Sequence, residues 1–316
     1  MKKSLIRSLA AAAAVLLCLV LSLAAALADV TPLGADLTVH GMPLKEDGWN
    51  DAKNPTVYED ESIRAEMFED QVKPRSGGSK IKVRYVVVEI KDPSQLRTTM
   101  SYESFEKQKA AKAQDMAKMV NAVVALNDDQ FKFNRFQGYV LRQGVFYQDT
   151  LSELAKPQDV LIIDDRADFH IVQKASTETV TAKFDELLQG GRKPMNVFTF
   201  GPALVVDGVG QECMQEDSIH ELHLRAARSC IGQLGPLKYF VMATWGANAK
   251  GIGMKGDDLV AYILETFPEC KYAYNLDGGN SSKLAWHGKL LSDSIGGRQA
   301  ITGMIYFASA STEGTK

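Results

Sequence analysis

The stretch Tyr272–Ser282 reads YAYNLDGGNSS and joins a short apolar run to a polar, turn-forming run. The apolar part, Tyr272–Leu276, predicts a buried strand. The two glycines that follow let the chain turn with positive φ, which can aim consecutive backbone N–H groups at an anion. A carboxylate and two hydroxyls complete the loop. The pattern is typical of a capped turn or of a functional loop held by a rigid strand. The loop residues concerned are Asp277, Gly278, Gly279, Ser281 and Ser282.

A second stretch has the same design. Residues Ala122–Leu126 read AVVAL and run directly into Asn127, Asp128 and Asp129. Strands that end on the same edge of a sheet bring their following loops together, and loops on rigid strands commonly carry sites. We therefore predict that Asp129 and Asp277 share one cleft, as candidates for carboxylate chemistry. The sequence does not distinguish which of them is the base.

Outward from these stretches, strands dominate and three helices are interspersed. This pattern predicts a mixed α+β fold with mostly antiparallel strands, three main helices and a single catalytic domain. The expected helices are Phe105–Val120, Val180–Gln189 with Val180, Phe184, Leu187 and Leu188 inward, and a helix capped by Asp257 that runs to Phe267. The main expected strands are Lys80–Ile90, Ala122–Leu126, Val160–Ile163, Phe169–Val172, Asn196–Phe200, Ala203–Val206, Ile219–Ser229, Tyr239–Thr244, Tyr272–Leu276 and Ile301–Phe307.

Composition restricts the partners. The chain has 316 residues, 45% of them hydrophobic and 24% charged, with a formal net charge of −3. These proportions are those of a folded globular protein. A mildly acidic chain argues against nucleic acid and against an anionic membrane surface as the main partner.

The N-terminus predicts export. Met1–Arg7 is basic, Leu9–Leu27 is almost continuously apolar, and Ala26-Leu27-Ala28 is a pattern that signal peptidase accepts. We expect a signal peptide over residues 1–28, an N-terminal extension over 29–78 and the catalytic domain over 79–316. A retained membrane anchor is the alternative, because about 20 apolar residues can span a bilayer. Cleavage would leave a protein that is secreted or in the cell envelope, with no membrane segment.

The sequence gives no clear sign of a metal centre or a cofactor. Cys213, Cys230 and Cys270 follow neither a zinc pattern nor a disulfide framework, although Cys213 and Cys230 are either paired or buried as thiols. Alternation over Ile219–Arg225 places His220 and His223 on opposite strand faces, which disfavours zinc. Gly251–Gly256 matches G-x-G-x-x-G but lacks the tight strand-to-helix turn of a dinucleotide site. We expect no cofactor, with a structural Ca²⁺ at Asp128, Asp129 and Asp277 as an alternative.

Two arginines are candidates for phosphate recognition, because a planar guanidinium matches two phosphate oxygens. Arg228 follows an alternating run, and Arg298 follows Gly296-Gly297. Either arginine alone is more often part of a surface ion pair.

Together these elements resemble the phosphodiester glycosidase family. The resemblance is carried, in the family's order, by Asn127–Phe131 (N-G-D-x-F), Phe200–Gly208 (F-G-P-x-L), Arg228–Gln233 (R-x-x-I-G), Asn275–Ser282 (N-L-D-G-G-x-S-S) and, loosely, Gly297-Arg298 (G-x-R). The resemblance implies hydrolysis of a sugar-1-phosphodiester such as one of N-acetylglucosamine, and bacterial relatives are often described as exopolysaccharide biosynthesis proteins. It implies Asp129 and Asp277 as catalytic residues. The implied substrate-binding residues are Asn127, Arg228, Gly278, Gly279, Ser281, Ser282 and Arg298.

The chain departs from the family pattern at two places. Asp128 stands where the family usually has Gly, and Trp245 stands where an Asp is often found. The second departure supports an alternative function, a non-catalytic protein that binds or assembles envelope polysaccharide, because an aromatic face suits sugar stacking.

Overall fold

The computed structural model describes residues 30–107, 109–129, 138–148, 158–213, 221–246, 251–291 and 300–312. The predicted signal peptide and Arg298 lie outside these residues. The strands, in chain order, are β1 (Val57–Glu59), β2 (Ile63–Val72), β3 (Ile81–Ile90), β4 (Leu96–Met100), β5 (Ala111–Lys112), β6 (Ala122–Asn127), β7 (Val140–Arg142), β8 (Val145–Gln148), β9 (Gln158–Asp164), β10 (Phe169–Ala175), β11 (Pro194–Thr199), β12 (Ala203–Val206), β13 (Val209–Gly210), β14 (Ser229–Gly235), β15 (Lys238–Thr244), β16 (Tyr272–Leu276), β17 (Leu284–Trp286), β18 (Lys289–Leu290), β19 (Ala300–Ile301) and β20 (Gly303–Ala308).

These strands form three main antiparallel sheets. The largest has eight strands in the order β1-β2-β3-β15-β14-β16-β12-β13. Two five-stranded sheets have the orders β10-β9-β11-β7-β8 and β18-β17-β6-β20-β4, and β19 pairs with β5 alone. The predicted α+β class is therefore confirmed.

Three helices lie in the described part of the chain, as predicted: α1 (Ala113–Met119), α2 (Thr177–Gln189) and α3 (Gly256–Thr266). The prediction of a long first helix was wrong, because residues 105–107 and 109–112 are not helical and β5 pairs with β19. In α2, Leu188 is exposed although Val180 and Leu187 are buried. In α3, Lys255 rather than Asp257 is the N-cap residue.

The strand predicted over Ile219–Ser229 was also wrong for its described part. Residues 221–228 form turns, and β14 begins only at Ser229. The alternation of apolar and polar side chains did not produce a strand because Arg228 holds this segment by its carbonyl groups. Its guanidinium donates to the backbone oxygens of Glu221 and Leu224.

The main core lies where the three sheets face one another. Strand β3 shows the packing: Val86 and Val88 face this core, whereas Val83 and Tyr85 face a second apolar cluster under α3. Successive side chains of a strand point to opposite faces, so a strand covered on both sides reads as continuously apolar. This accounts for the continuous apolar run Tyr85–Val88 within β3.

The segment before residue 79 contacts the rest of the chain extensively. Strand β2 pairs with β3 along its whole length, from Ile63 opposite Ile90 to Val72 opposite Ile81. Trp49 meets Trp286 edge-on at 5.0 Å between ring centroids, and the Trp286 indole donates to the Pro55 carbonyl at 2.7 Å. Separately, within the described ranges no helix is both long and apolar enough to cross a membrane.

Gly232, in the centre of β14, offers a test of this packing. A Cβ atom there would lie 2.1 Å from Cε1 of Phe240, whose ring is fully buried and stacked on Phe267. We expect Gly232→Ala to lower the free energy of unfolding by about 1–3 kcal/mol, because the ring has nowhere to move. Gly235→Ala is the matched control in the same strand, since no atom lies within 4 Å of the new methyl group. Equal stability of the two variants in urea unfolding would contradict this packing.

Candidate active site

The Asn127 carboxamide joins the two polar loops singled out in the sequence. Its Nδ2 donates to the backbone oxygen of Asp277 at 2.7 Å. Its Oδ1 accepts from the backbone N–H of Lys283 and from the Ser229 hydroxyl, each at 2.9 Å. The amide nitrogen and the amide oxygen of one buried side chain thus both hold the loop that begins at Asp277, which lies 150 residues away in the sequence.

The structure brings Asp277 together with residues 127–129, as the sequence predicts. The Asp277 N–H donates to the Asp128 carbonyl at 3.3 Å, and the charge of Asp129 acts on the Asp277 carboxyl. The expected reason was wrong, however. Strand β6 belongs to a five-stranded sheet and β16 to the eight-stranded sheet, so the loops meet between two packed sheets rather than along one edge.

Asp129 is a fixed buried charge. Its side chain is 1% exposed, and its Oδ1 accepts from Nη2 of Arg142 at 2.7 Å. Its Oδ2 accepts from the Thr199 N–H at 3.1 Å. The fully buried Arg142 guanidinium also lies 4.3 Å from the Phe198 ring centroid. Both oxygens of Asp129 accept hydrogen bonds from the protein. This carboxylate is therefore placed to act on its neighbours through its charge rather than to take a proton.

Asp277 differs from Asp129 in every respect that matters for proton transfer. The pKa of Asp277 is raised to about 6, mainly by burial and in smaller part by the nearby charge of Asp129, whereas hydrogen bonds from the Ser281 hydroxyl and the Gly278 N–H oppose the rise. Its Oδ2 is buried without a hydrogen-bond partner among the described residues. Asp277 is also partly exposed, whereas Asp128 and Asp129 are buried. Of these three residues, Asp277 alone keeps partial exposure.

The donors predicted to cradle a phosphate are used within the protein in this conformation. The Gly279 N–H donates to the Ala227 carbonyl at 2.8 Å, and the Ser282 hydroxyl lies between Ser229 and the Arg228 carbonyl. Gly278 packs so closely that a Cβ would lie 2.6 Å from the Ala227 oxygen. A role for these residues in substrate binding stays a prediction.

Arg228 has a structural role in this conformation. Its Nε donates to the Met254 carbonyl at 3.0 Å, and its Nη2 donates to the Glu221 carbonyl at 3.2 Å and to that of Leu224. Burial lowers the pKa of Arg228 to about 10. The guanidinium therefore holds the loops around residues 221–224 and 254 and does not point its donors at Asp277.

Two charged residues at the site escaped sequence reasoning. Arg142 reads as the end of an ordinary hairpin strand, and Lys283 follows the motif of the second loop. The Lys283 side chain is buried, although lysine is almost always solvated. Its one sequence signal is its place between a turn and the apolar residues Leu284–Trp286.

Trp245 is accounted for by packing. Its ring is partly buried against the apolar cluster under α3, and its backbone N–H donates to the Lys82 carbonyl at 2.8 Å. Cys213, Cys230 and Cys270 are free, buried thiols. The part of the chain that the structure describes holds no group of three or more His, Cys, Asp or Glu side chains arranged to bind a metal ion.

The ion pair of Arg142 and Asp129 can be tested by stability. We expect Arg142→Met to lower the free energy of unfolding by about 3–5 kcal/mol, because it leaves a buried carboxylate without its cation. Adding Asp129→Asn should restore much of that loss, since the uncompensated charge is then gone. Urea unfolding of the single and double variants measures both effects. A double variant no more stable than Arg142→Met would contradict the pairing.

Known proteins resemble this chain at the level of fold. The zebrafish N-acetylglucosamine-1-phosphodiester alpha-N-acetylglucosaminidase catalytic domain, in a form auto-inhibited by its pro-peptide, superposes with a TM-score of 0.61 and 15% identity, covering 83% of this chain and 86% of that one. A hypothetical protein from Synechocystis gives a TM-score of 0.48 at 14% identity over 81% of this chain and 64% of that one.

Sequence comparison adds a relative and a family. The SPbeta prophage-derived uncharacterized protein YomE of Bacillus subtilis (strain 168) is 25% identical over 179 residues, which are 56% of this chain and 26% of that protein. The chain thus spans about a quarter of the length of that relative. The sequence model of the phosphodiester glycosidase family matches residues 120–308, which include Asn127, Asp129, Asp277 and Lys283. This match extends over more than half of the chain, which therefore belongs to the phosphodiester glycosidase family.

Proposed function

We propose that this protein is an exported hydrolase that cleaves the glycosidic bond of a sugar-1-phosphodiester in envelope polymers or glycans, with an N-acetylglucosamine-1-phosphate type of substrate. Family membership supports the class of reaction. The basic, apolar and small-residue pattern of residues 1–28 supports export. The mature chain would then work outside the cytoplasm and without a membrane segment.

The observation that carries the proposal is the contrast between two adjacent carboxylates. Asp129 is fixed by Arg142 and Thr199, whereas Asp277 keeps a buried oxygen unpartnered and has its pKa raised to about 6. A general base is most effective when its pKa lies near the working pH. Pairs of titratable groups with such different environments are typical of acid–base sites.

In the proposed hydrolysis, Asp277 acts as the general base. The leaving group is a phosphate monoester, which departs readily and needs little protonation. Water attacks the anomeric carbon, the Asp277 carboxylate takes a proton from that water, and the bond between the anomeric carbon and the phosphate oxygen breaks with its electrons going to phosphate. The products are the free sugar and a phosphate monoester that keeps the bridging oxygen.

The remaining site residues position Asp277 in this scheme. Asn127 holds the Asp277 backbone at 2.7 Å, and the Gly278 N–H and Ser281 hydroxyl fix one oxygen of the carboxylate. Asp129, fixed by Arg142 and Thr199, contributes to the raised pKa of Asp277. Ser281 is the predicted binding residue whose hydroxyl lies at Asp277 itself.

The alternative of a non-catalytic polysaccharide-binding or assembly protein rested on Trp245. That side chain packs against the cluster under α3, so its presence has a structural explanation. Turnover on a panel of sugar-1-phosphodiesters distinguishes the two functions, because a binding protein would show affinity without product.

Asp277→Asn is the direct test of the proposed base. We expect kcat to fall by about 10²-fold or more, as when a positioned acid–base group is lost. The fold should persist, because the asparagine oxygen can accept the same bonds from Gly278 and Ser281. Turnover of a synthetic N-acetylglucosamine-1-phosphodiester measures the loss, and Asp277→Glu serves as the control that keeps the charge.

The stability of the same variant should depend on pH in a defined direction. The pKa of Asp277 is higher in the folded chain than in the unfolded chain, so its contribution to stability is present at low pH and is lost as pH rises through about 6. Asn carries no charge at any pH. The Tm of Asp277→Asn relative to wild type should therefore rise between pH 4 and pH 8. A lower Tm at pH 8 with unchanged turnover per folded molecule would identify Asp277 as a turn cap only.

We also propose that the reaction uses no metal cofactor. The Arg142 guanidinium lies 2.7 Å from Asp129 and 3.5 Å from Asp128, so a cation already lies between these carboxylates. A structural Ca²⁺ at Asp128, Asp129 and Asp277 would have to displace it. We expect exhaustive chelation to leave both kcat and Tm unchanged. Loss of activity that added Ca²⁺ restores would contradict this expectation.

A further inference from the structure

Lys283 is a buried lysine that closes the loop after Asp277. Its side chain is about 2% exposed, and its Nζ donates to the carbonyl oxygens of Asn280 at 2.6 Å and Ser282 at 3.1 Å. Its own backbone N–H donates to Asn127, the residue that also holds the Asp277 carbonyl. Side chain and backbone of Lys283 thus fix the loop from both ends.

The ammonium also acts on the Asp277 carboxyl. The positive charge of Lys283 lowers the pKa of Asp277, and the charge of Asp277 in turn raises the pKa of Lys283, which burial lowers to about 8. Both groups therefore carry their charges together at neutral pH. Removing the cation should make Asp277 harder to ionise.

The other charged groups around Asp277 cannot replace Lys283 in this role. Asp129 and Asp128, at the end of β6, are acidic and disfavour a second negative charge. Arg142, on β7, is bonded to Asp129 at 2.7 Å and offsets that carboxylate. The Lys283 ammonium is bonded to the Asn280 and Ser282 carbonyls of the same loop, and charges in a poorly solvated site interact more strongly than they would in water.

We propose that Lys283 is a positioning residue for Asp277, which fixes the loop through Asn280 and Ser282 and places a buried positive charge in the loop that carries the carboxylate. The role in proton transfer rests on the proposed function, whereas the coupling of the two charges does not. An apolar residue at this position would pack without the cost of burying an ammonium but would leave the carboxylate without its nearby cation.

Titration of the Asp277 carboxyl by ¹³C NMR tests the coupling without a substrate. In wild type the midpoint should lie near pH 6, and in Lys283→Met it should move upward by about half a pH unit or more. Lys271→Met is the matched control, because Lys271 is exposed and precedes β16 at the end of the strand opposite to Asp277. It removes the same charge and should leave the midpoint in place.

Enzyme kinetics should follow the titration. The acidic limb of the kcat/KM profile should move upward in Lys283→Met by the same interval as the carboxyl midpoint. A purely structural role predicts a lower Tm and a uniform loss of activity at every pH, with the limb unmoved. An unshifted Asp277 midpoint in folded Lys283→Met would overturn the proposal.

A second measurement uses the wild-type side chain, in case Lys283→Met does not fold. The ¹³Cε resonance of Lys283 should show a step at the Asp277 midpoint, and this step should vanish in Asp277→Asn. Absence of the step in wild type would overturn the proposal. Coupled titration without turnover on any phosphodiester would leave the Lys283 inference standing and count against the proposed function, whereas turnover without coupling would do the reverse.

Discussion

The site depends on the hydrogen bonds of one buried carboxamide, that of Asn127. An amide has two donors and an accepting oxygen, and here they hold Asp277, Lys283 and Ser229 from one position at the end of β6. These partners lie in or beside two different sheets, so the carboxamide fixes how the sheets meet. A change of side chain at this position would leave several buried polar groups unpaired, which is costly.

The charges around Asn127 explain how the fold makes a reactive group from an ordinary aspartate. Arg142 compensates the charge of Asp129, and the two side chains form a buried ion pair near Asp277. Asp277 has limited contact with water and lies near a second carboxylate, so its ionised form is disfavoured. The arrangement lowers the stability of the fold at neutral pH, and it gives Asp277 the raised pKa on which the proposed role in proton transfer depends.

The sequence was sufficient where structure follows from local pattern. The apolar runs ending at Leu126 and Leu276 predicted buried strands, and the polar residues after each run predicted loops that lie together. Local pattern failed at residues 109–112 and 221–228, where pairing with β19 and the bonds of Arg228 override the periodicity. It also missed Arg142 and Lys283, because their burial is created by strands distant in sequence. The phosphate-binding role of Arg228 stays a prediction, and in this conformation its Nε and Nη2 donate to carbonyl groups of nearby loops.

The measurement that tests the central claim most directly is hydrolysis of a sugar-1-phosphodiester in H₂¹⁸O, with mass analysis of both products. The account predicts attack at the anomeric carbon, so ¹⁸O should enter the free sugar and the phosphate monoester should stay unlabelled. Label in the phosphate monoester would show that a phosphorus–oxygen bond had broken, and it would contradict the assignment of this site to glycosidic cleavage.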